Sequence, residues 1–190
     1  MRKIILAMSV SLDGFMEGPR REIDWHLVDD ELHRYFNDRL RGMGGFLSGR
    51  VTHELMADYW PAADEDPAAP EPVREFARIW REMPKIVYSR TLAAGPAQWN
   101  TTVVREVVPA EVEALKVEPG GDLALGGADL AAAFAAHDLV DEYLVYVHPV
   151  LLGAGKRLFP QAADRTSLRL LESRAFGNGV VLLRYARDRG

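Results

Sequence analysis

The sequence predicts an α/β fold in which a mostly parallel central sheet is flanked by helices and finished by a C-terminal antiparallel hairpin. Three observations predict it. Strand-like and helix-like apolar periods alternate through the first 148 residues. Segment 142–148 is apolar on both alternating faces, as a strand in the middle of a sheet must be. Segments 168–176 and 180–185 are β-rich and are joined by Gly177-Asn178-Gly179, residues that tolerate the positive φ of a hairpin turn.

The elements follow in order. Residues 4–10 form a short apolar strand. From 29 to 41, Leu32, Tyr35, Phe36 and Leu40 recur at helical spacing, with Asp29, Asp30 and Glu31 at the start and Arg39 and Arg41 near the end, complementing the helix dipole. Gly42 stops that helix. A strand at 45–48 runs into a short helix at 51–57. Residues 61–72 contain only Pro, Ala, Asp and Glu and predict a surface loop with nothing to pack a core. Pro72 suits the first turn of a helix whose Val73, Phe76, Ala77 and Trp80 share one face and which Met83-Pro84 ends. Strands at 85–89 and 103–108, a helix from Pro109 to about 116 and a strand at 122–125 come next. An alanine-rich helix at 128–136 precedes the central strand 142–148.

Composition narrows the chemistry. The 190 residues suit one domain over 1–190, and 48% apolar with 27% charged residues is the make-up of a folded chain. Twenty-three basic against 28 acidic side chains give a net charge of -5, which disfavours nucleic-acid partners. Without cysteine there is no thiolate nucleophile and no Cys-ligated metal, so chemistry falls to carboxylates, histidines, hydroxyls or a bound cofactor. No stretch approaches the roughly 20 apolar residues of a membrane span. The run 4–10 leads into Asp13 and not into a small-residue cleavage site, so the cytoplasm is expected.

Two segments pass from a strand through glycine straight into a helix: Leu47-Ser48-Gly49-Arg50-Val51-Thr52 and Leu125-Gly126-Gly127-Ala128-Asp129-Leu130. A helix N-terminus offers unpaired N–H groups and positive partial charge, and glycine lets a phosphate come close to the backbone. Each glycine could also merely end its strand, but two such turns in one domain suit a ligand with two separated phosphates. Arg50 at a helix start opposes the dipole unless an anion lies between them or the side chain turns away. Neither segment is a Rossmann fingerprint or a P-loop. Gly153-Ala154-Gly155-Lys156-Arg157 lacks the third fingerprint glycine and reads as a loop at a ligand rim. His26, His33, His53, His137 and His148 lack the spacing of a zinc helix, so no metal is expected and they read as solvated or packing residues. Asp13-Gly14 is either a plain turn or part of a pocket, Asp29 and Asp30 can simply cap their helix, and Trp25 can pack or stack on a flat substrate.

Together the segments 5–14, Ser48-Gly49-Arg50-Val51-Thr52-His53-Glu54, 125–130, Asp138-Leu139-Val140-Asp141-Glu142-Tyr143 and 148–159 resemble the dihydrofolate-reductase-like family. The nearest branch is the reductase domain of the bifunctional riboflavin-biosynthesis deaminase-reductase and its stand-alone bacterial relatives; the zinc deaminase half is absent. The resemblance implies NADPH, with Ser48, Gly49, Arg50 and Thr52 at its phosphates and Arg50 the partner of the 2′-phosphate. Gly126, Gly127, Ala128, Asp129 and Leu130 match the turn at the pyrophosphate, Ser89 and Arg90 the strand end beside the adenosine, and Ala7, Gly14 and Phe15 the surroundings of the nicotinamide. Trp25 and Asp30 fall where folate reductases carry a tryptophan and a carboxylate at the substrate, although the residues between them differ.

The expectation is an NADPH-dependent oxidoreductase that passes a hydride to a small heterocyclic or carbonyl substrate, pterin-like or ribosylaminopyrimidine-like. Asp13, Asp30 or an ordered water would supply the proton. The resemblance also implies a homodimer, through the 149–159 region. The alternative is a nucleotide-binding or dimeric interaction protein that kept the fold and lost turnover.

Overall fold

The first strand, β1 (Ile4–Ser11), shows how the sheet is covered on both sides. Successive side chains of a strand point to opposite faces. Ile4, Leu6 and Val10 face one core with Leu47, Leu123, Leu125, Leu130, Phe134 and their neighbours, while Ile5 and Ala7 face a second with Leu32, Leu144, Tyr146, Phe176, Val180 and Leu182. The computed structural model describes residues 1–159 and 165–189.

In chain order the elements are β1, β2 (Phe15–Glu17), α1 (Asp30–Leu40), β3 (Gly45–Gly49), α2 (Arg50–Tyr59), a 3-10 turn (Trp60–Ala62), α3 (Glu71–Glu82), β4 (Lys85–Tyr88), β5 (Gly95–Ala97), β6 (Thr101–Val104), α4 (Pro109–Val117), β7 (Leu123–Gly126), α5 (Ala128–Ala136), β8 (Glu142–His148), β9 (Lys156–Arg157), β10 (Leu168–Ala175) and β11 (Val181–Arg187). One nine-stranded sheet runs in the order β10-β11-β8-β1-β7-β3-β4-β6-β5. Its middle, from β8 to β6, is parallel; β11 and β10 at one edge and β5 at the other are antiparallel. The expected fold class is therefore the observed one. The C-terminal hairpin turns at Gly177-Asn178-Gly179, and β10 is its exposed edge strand.

Four details differ from the sequence expectation, each for a physical reason. The segment 61–72 does contribute to the interior: Ala63, Ala69 and Pro72 are buried, because small side chains fit where the loop lies on α3. Asp64 fixes it there with two hydrogen bonds from the Arg81 guanidinium, at 2.7 and 2.6 Å. The strand expected at 103–108 lies at Thr101–Val104, and beyond it Val107 reaches the core from irregular chain. The strand Gly95–Ala97 carries no β-forming side chain, and its Pro96 is tolerated because β5 is an edge. Finally, Lys156–Arg157 is not loop throughout: it pairs with Phe15–Glu17 as a separate two-stranded sheet.

Candidate active site

The C-terminal ends of β1, β7, β3 and β4 lie side by side, at the sheet edge where ligands of open α/β sheets bind. β3 and β7 are parallel neighbours with Ser48 opposite Gly126. The two glycine turns, nearly eighty positions apart in sequence by the numbers of Gly49 and Gly127, are thus adjacent strand ends, separated by roughly the 4.8 Å of one strand spacing.

Each turn hands over directly to a helix. Gly49 is the N-cap of α2, with no side chain bonded to the first-turn amides, and a Cβ added there would meet nothing within 4 Å among the described residues. A ligand oxygen can therefore approach the start of α2 along the backbone. Gly127 is the N-cap of α5 and is different: its φ of +94 demands glycine, and an added Cβ would come to 2.7 Å from Thr52 Oγ1. Thr52, on the first turn of α2, thereby packs one turn against the other. The Gly127 amide donates to Met8 Sδ at 3.2 Å, tying the second turn to β1.

The Arg50 side chain turns along its helix and pairs with Glu54 at 2.8 Å, both partners 44% exposed. That removes the conflict between its charge and the helix dipole, and an exposed pair of this kind contributes only about 0.5 kcal/mol, so a phosphate can compete for the guanidinium. Ala7 is half-buried on the floor formed by β1, and Gly14 and Phe15 lead into β2. Phe15 is buried beneath the Arg157 guanidinium, 4.6 Å above its ring. Arg90 is exposed just beyond β4.

Some expected contacts are otherwise engaged. The Ser89 hydroxyl accepts the amides of Thr91 and Leu92 at 3.2 and 3.1 Å, so it shapes its own turn. Leu130 is buried in the core with Phe134, leaving it no side-chain role at a ligand. Ala128 is buried as well. Asp129 is 87% exposed and pairs with Lys156 of β9 at 2.6 Å.

Asp13 does not have the properties of a proton donor. Its carboxylate accepts from Ser11 Oγ at 2.6 Å, Gly153 N at 2.7 Å and Leu152 N at 3.1 Å. The Ser11 hydroxyl first, and the two amides after it, outweigh desolvation and hold the carboxyl down at about 2. Asp13 is an ionised clasp between the loop after β1 and the loop after β8. Asp29, not Asp30, caps α1 by accepting the Leu32 amide at 2.9 Å. Asp30 is exposed and pairs with Arg34 at 3.0 Å.

Trp25 lies in a cluster that the sequence did not disclose. It meets His26 edge-on with ring centroids 4.2 Å apart and His148 edge-on at 5.5 Å, while the two imidazoles stack at 5.2 Å. His148 ends β8 opposite Ser11 of β1, and its Nδ1 accepts the Leu27 amide at 3.1 Å. Burial, and then His26, push the His148 imidazole down to about 4; burial lowers His26 too. Both rings are therefore neutral near pH 7. The signal available in the sequence was a histidine closing a central strand whose interior, residues 143–147, is apolar.

Comparison with known proteins identifies relatives of the whole chain. Residues 2–182 match the model of the RibD C-terminal domain family. The chain is 36% identical over 185 residues to the uncharacterized protein YyaP of Bacillus subtilis, covering 97% of this chain and 94% of that one. It is 29% identical to YwjB of the same organism over 95% and 96% of the two chains. A putative riboflavin biosynthesis protein from Shewanella superposes with a TM-score of 0.75 at 22% identity over the full length of both chains. A deaminase/5-amino-6-(5-phosphoribosylamino)uracil reductase from Thermotoga maritima does so at 0.65 and 14% identity, over 98% of this chain and 57% of that one. At these identities the structural matches establish the fold.

Proposed function

The chain belongs to the RibD C-terminal domain family, and from that premise we propose that it is an NADPH-dependent reductase of a small flat heterocycle, of the pterin or ribosylaminopyrimidine kind. The observation that carries this reading is the adjacency of the two glycine turns, one open above Gly49 and the other packed on it through Thr52. Gly49 and the α2 amides would hold one phosphate group, Gly126 and Gly127 the pyrophosphate, and Arg50 the 2′-phosphate once released from Glu54. The bound dinucleotide supplies a hydride at its nicotinamide, and the protein's part is positioning and a proton. With Asp13 held ionised and Asp30 engaged by Arg34, the proton falls to an ordered water, or to Asp30 once released from Arg34.

Calorimetric titration with NADPH and NADH tests the reading. Wild-type protein is expected to bind NADPH more tightly, and Arg50→Ala to lose roughly 10- to 100-fold for NADPH and little for NADH, the worth of one charged hydrogen bond to phosphate. No heat with either dinucleotide would overturn it. Dinucleotide binding without turnover is favoured by one specific observation, that Asp13 is a clasp and Asp30 is paired with Arg34. Nicotinamide oxidation followed with 5-amino-6-(5-phosphoribosylamino)uracil-type and pterin acceptors separates the two readings. The proposal includes a homodimer through 149–159, where Leu151 and Phe159 are 70% and 52% exposed; sedimentation as a monomer at micromolar concentration would refute it.

A further inference from the structure

The His148 ring is fully buried, and its Nε2 atom, like that of His26, has no hydrogen-bond partner among the described residues. A buried polar group left unpaired disfavours the folded state, so an aliphatic side chain would serve this packing position better. What the imidazole alone provides is Nδ1, the acceptor for the Leu27 amide. Leu27 follows Trp25 and His26 directly, and its own carbonyl accepts Asn178 Nδ2 of the hairpin turn at 2.8 Å. One residue of a segment 121 positions away is thus held between the end of β8 and the C-terminal hairpin.

We infer that His148 is a positioning residue: through Nδ1 it fixes the 25–27 segment, and with it the Trp25 face that receives the acceptor heterocycle. The role assigned to Trp25 rests on the proposed reductase reading; the placement of Trp25 by His148 does not. Because Nδ1 accepts, the neutral ring carries its hydrogen on Nε2. A proton added to the ring goes to Nδ1, where it faces the Leu27 N–H and breaks the bond. The titratable group on the ring is His26, stacked on it; on the flanking elements Asp13 is bonded to Ser11, the β1 partner of His148, and Glu31 accepts the Gly177 amide of the hairpin turn.

The test uses the full chain labelled with 5-fluorotryptophan, the Trp25 line being assigned by its loss in Trp25→Phe. His148→Leu, which keeps the bulk and loses the acceptor, is expected to shift and broaden the Trp25 line, and His148→Gln, whose amide oxygen can accept from Leu27, to restore it. An unchanged Trp25 line in His148→Leu overturns the inference, and so does an equal disturbance in His148→Gln. Should His148→Leu not fold, the wild-type protein decides: the imidazole ¹⁵N shifts of His148 must show the Nε2–H form, and the Trp25 line must titrate together with them. Different midpoints, or the Nδ1–H form, overturn it. If NADPH gives no heat with the wild type while the fluorine result holds, the reductase reading fails and this one stands.

Discussion

The two ends of the proposed site are built on opposite principles. The glycine turns are made of backbone, each within half a dozen consecutive residues at the end of a parallel strand, and they meet because β3 and β7 are neighbours. The Trp25 side is made of side chains from a loop and from a strand 121 positions later, and its geometry exists only in the folded chain. A cofactor with fixed phosphates can be bound by local sequence grammar. A wall built from side chains far apart in sequence is specified by tertiary contacts, which is why it cannot be inferred by matching motifs.

Substitutions should separate the two. The largest effect is expected of Gly127→Val, which must adopt φ near +94 and push into Thr52: about 2–4 kcal/mol of stability by urea denaturation, with dinucleotide binding lost alongside. Gly49→Ala makes the contrast, since its backbone conformation is ordinary and the space is open. Stability should change by under about 0.5 kcal/mol while NADPH affinity falls about tenfold, because the methyl occupies the ligand's approach. A destabilisation as large as that of Gly127→Val would mean the first turn is structural only.

On the other side, Asp13→Ala should cost the 150–153 amides about tenfold in hydrogen-exchange protection while leaving proton donation intact if a substrate is found. A lowered carboxyl pKa contributes stability above its ordinary value of 3.8 that is lost as pH falls through about 2, so the wild-type clasp should survive to strongly acidic pH. The histidine has the opposite sign of charge. With its pKa lowered from 6.5 to about 4, the held ring stays neutral while a released ring protonates, so falling pH favours release of the 25–27 segment from about 6.5 downward and levels off below about 4. Exchange of the Leu27 amide against pH measures this. The smallest effect is expected of Lys156→Ala, which removes an exposed pair worth under about 1 kcal/mol and should lose even that in high salt.

What the sequence disclosed follows the same division. Ala128–Ala136 and Glu142–His148 fall at their expected bounds, and the hairpin turns where Gly177-Asn178-Gly179 places it, because periodicity and turn chemistry are local. β2, β5 and β9 were not legible: they are two or three residues long, and β5 contains Gly and Pro, so only their partners make them strands. Ala63 and Ala69 show that a segment without bulky side chains can still be interior when a neighbouring helix fits over it. At the site, the turns at Gly49 and Gly127 were readable from strand-glycine-helix order, and Thr52 only through the family resemblance. Asp13 was visible as a residue but not as a clasp, since its donors Leu152 and Gly153 come from the far side of the chain. His26 and His148 were read as solvated or packing residues, and the Nδ1 bond of His148 to the Leu27 amide was not legible because its partner lies 121 positions away.

The short ladder between β2 and β9 has a mechanical corollary. Phe15 and Arg157 are joined by register, by the guanidinium over the ring and by the Gly14 carbonyl accepting the Leu158 amide at 3.1 Å. The strap after β1 and the strap after β8 are therefore riveted to each other, so a load placed on either one is shared by both.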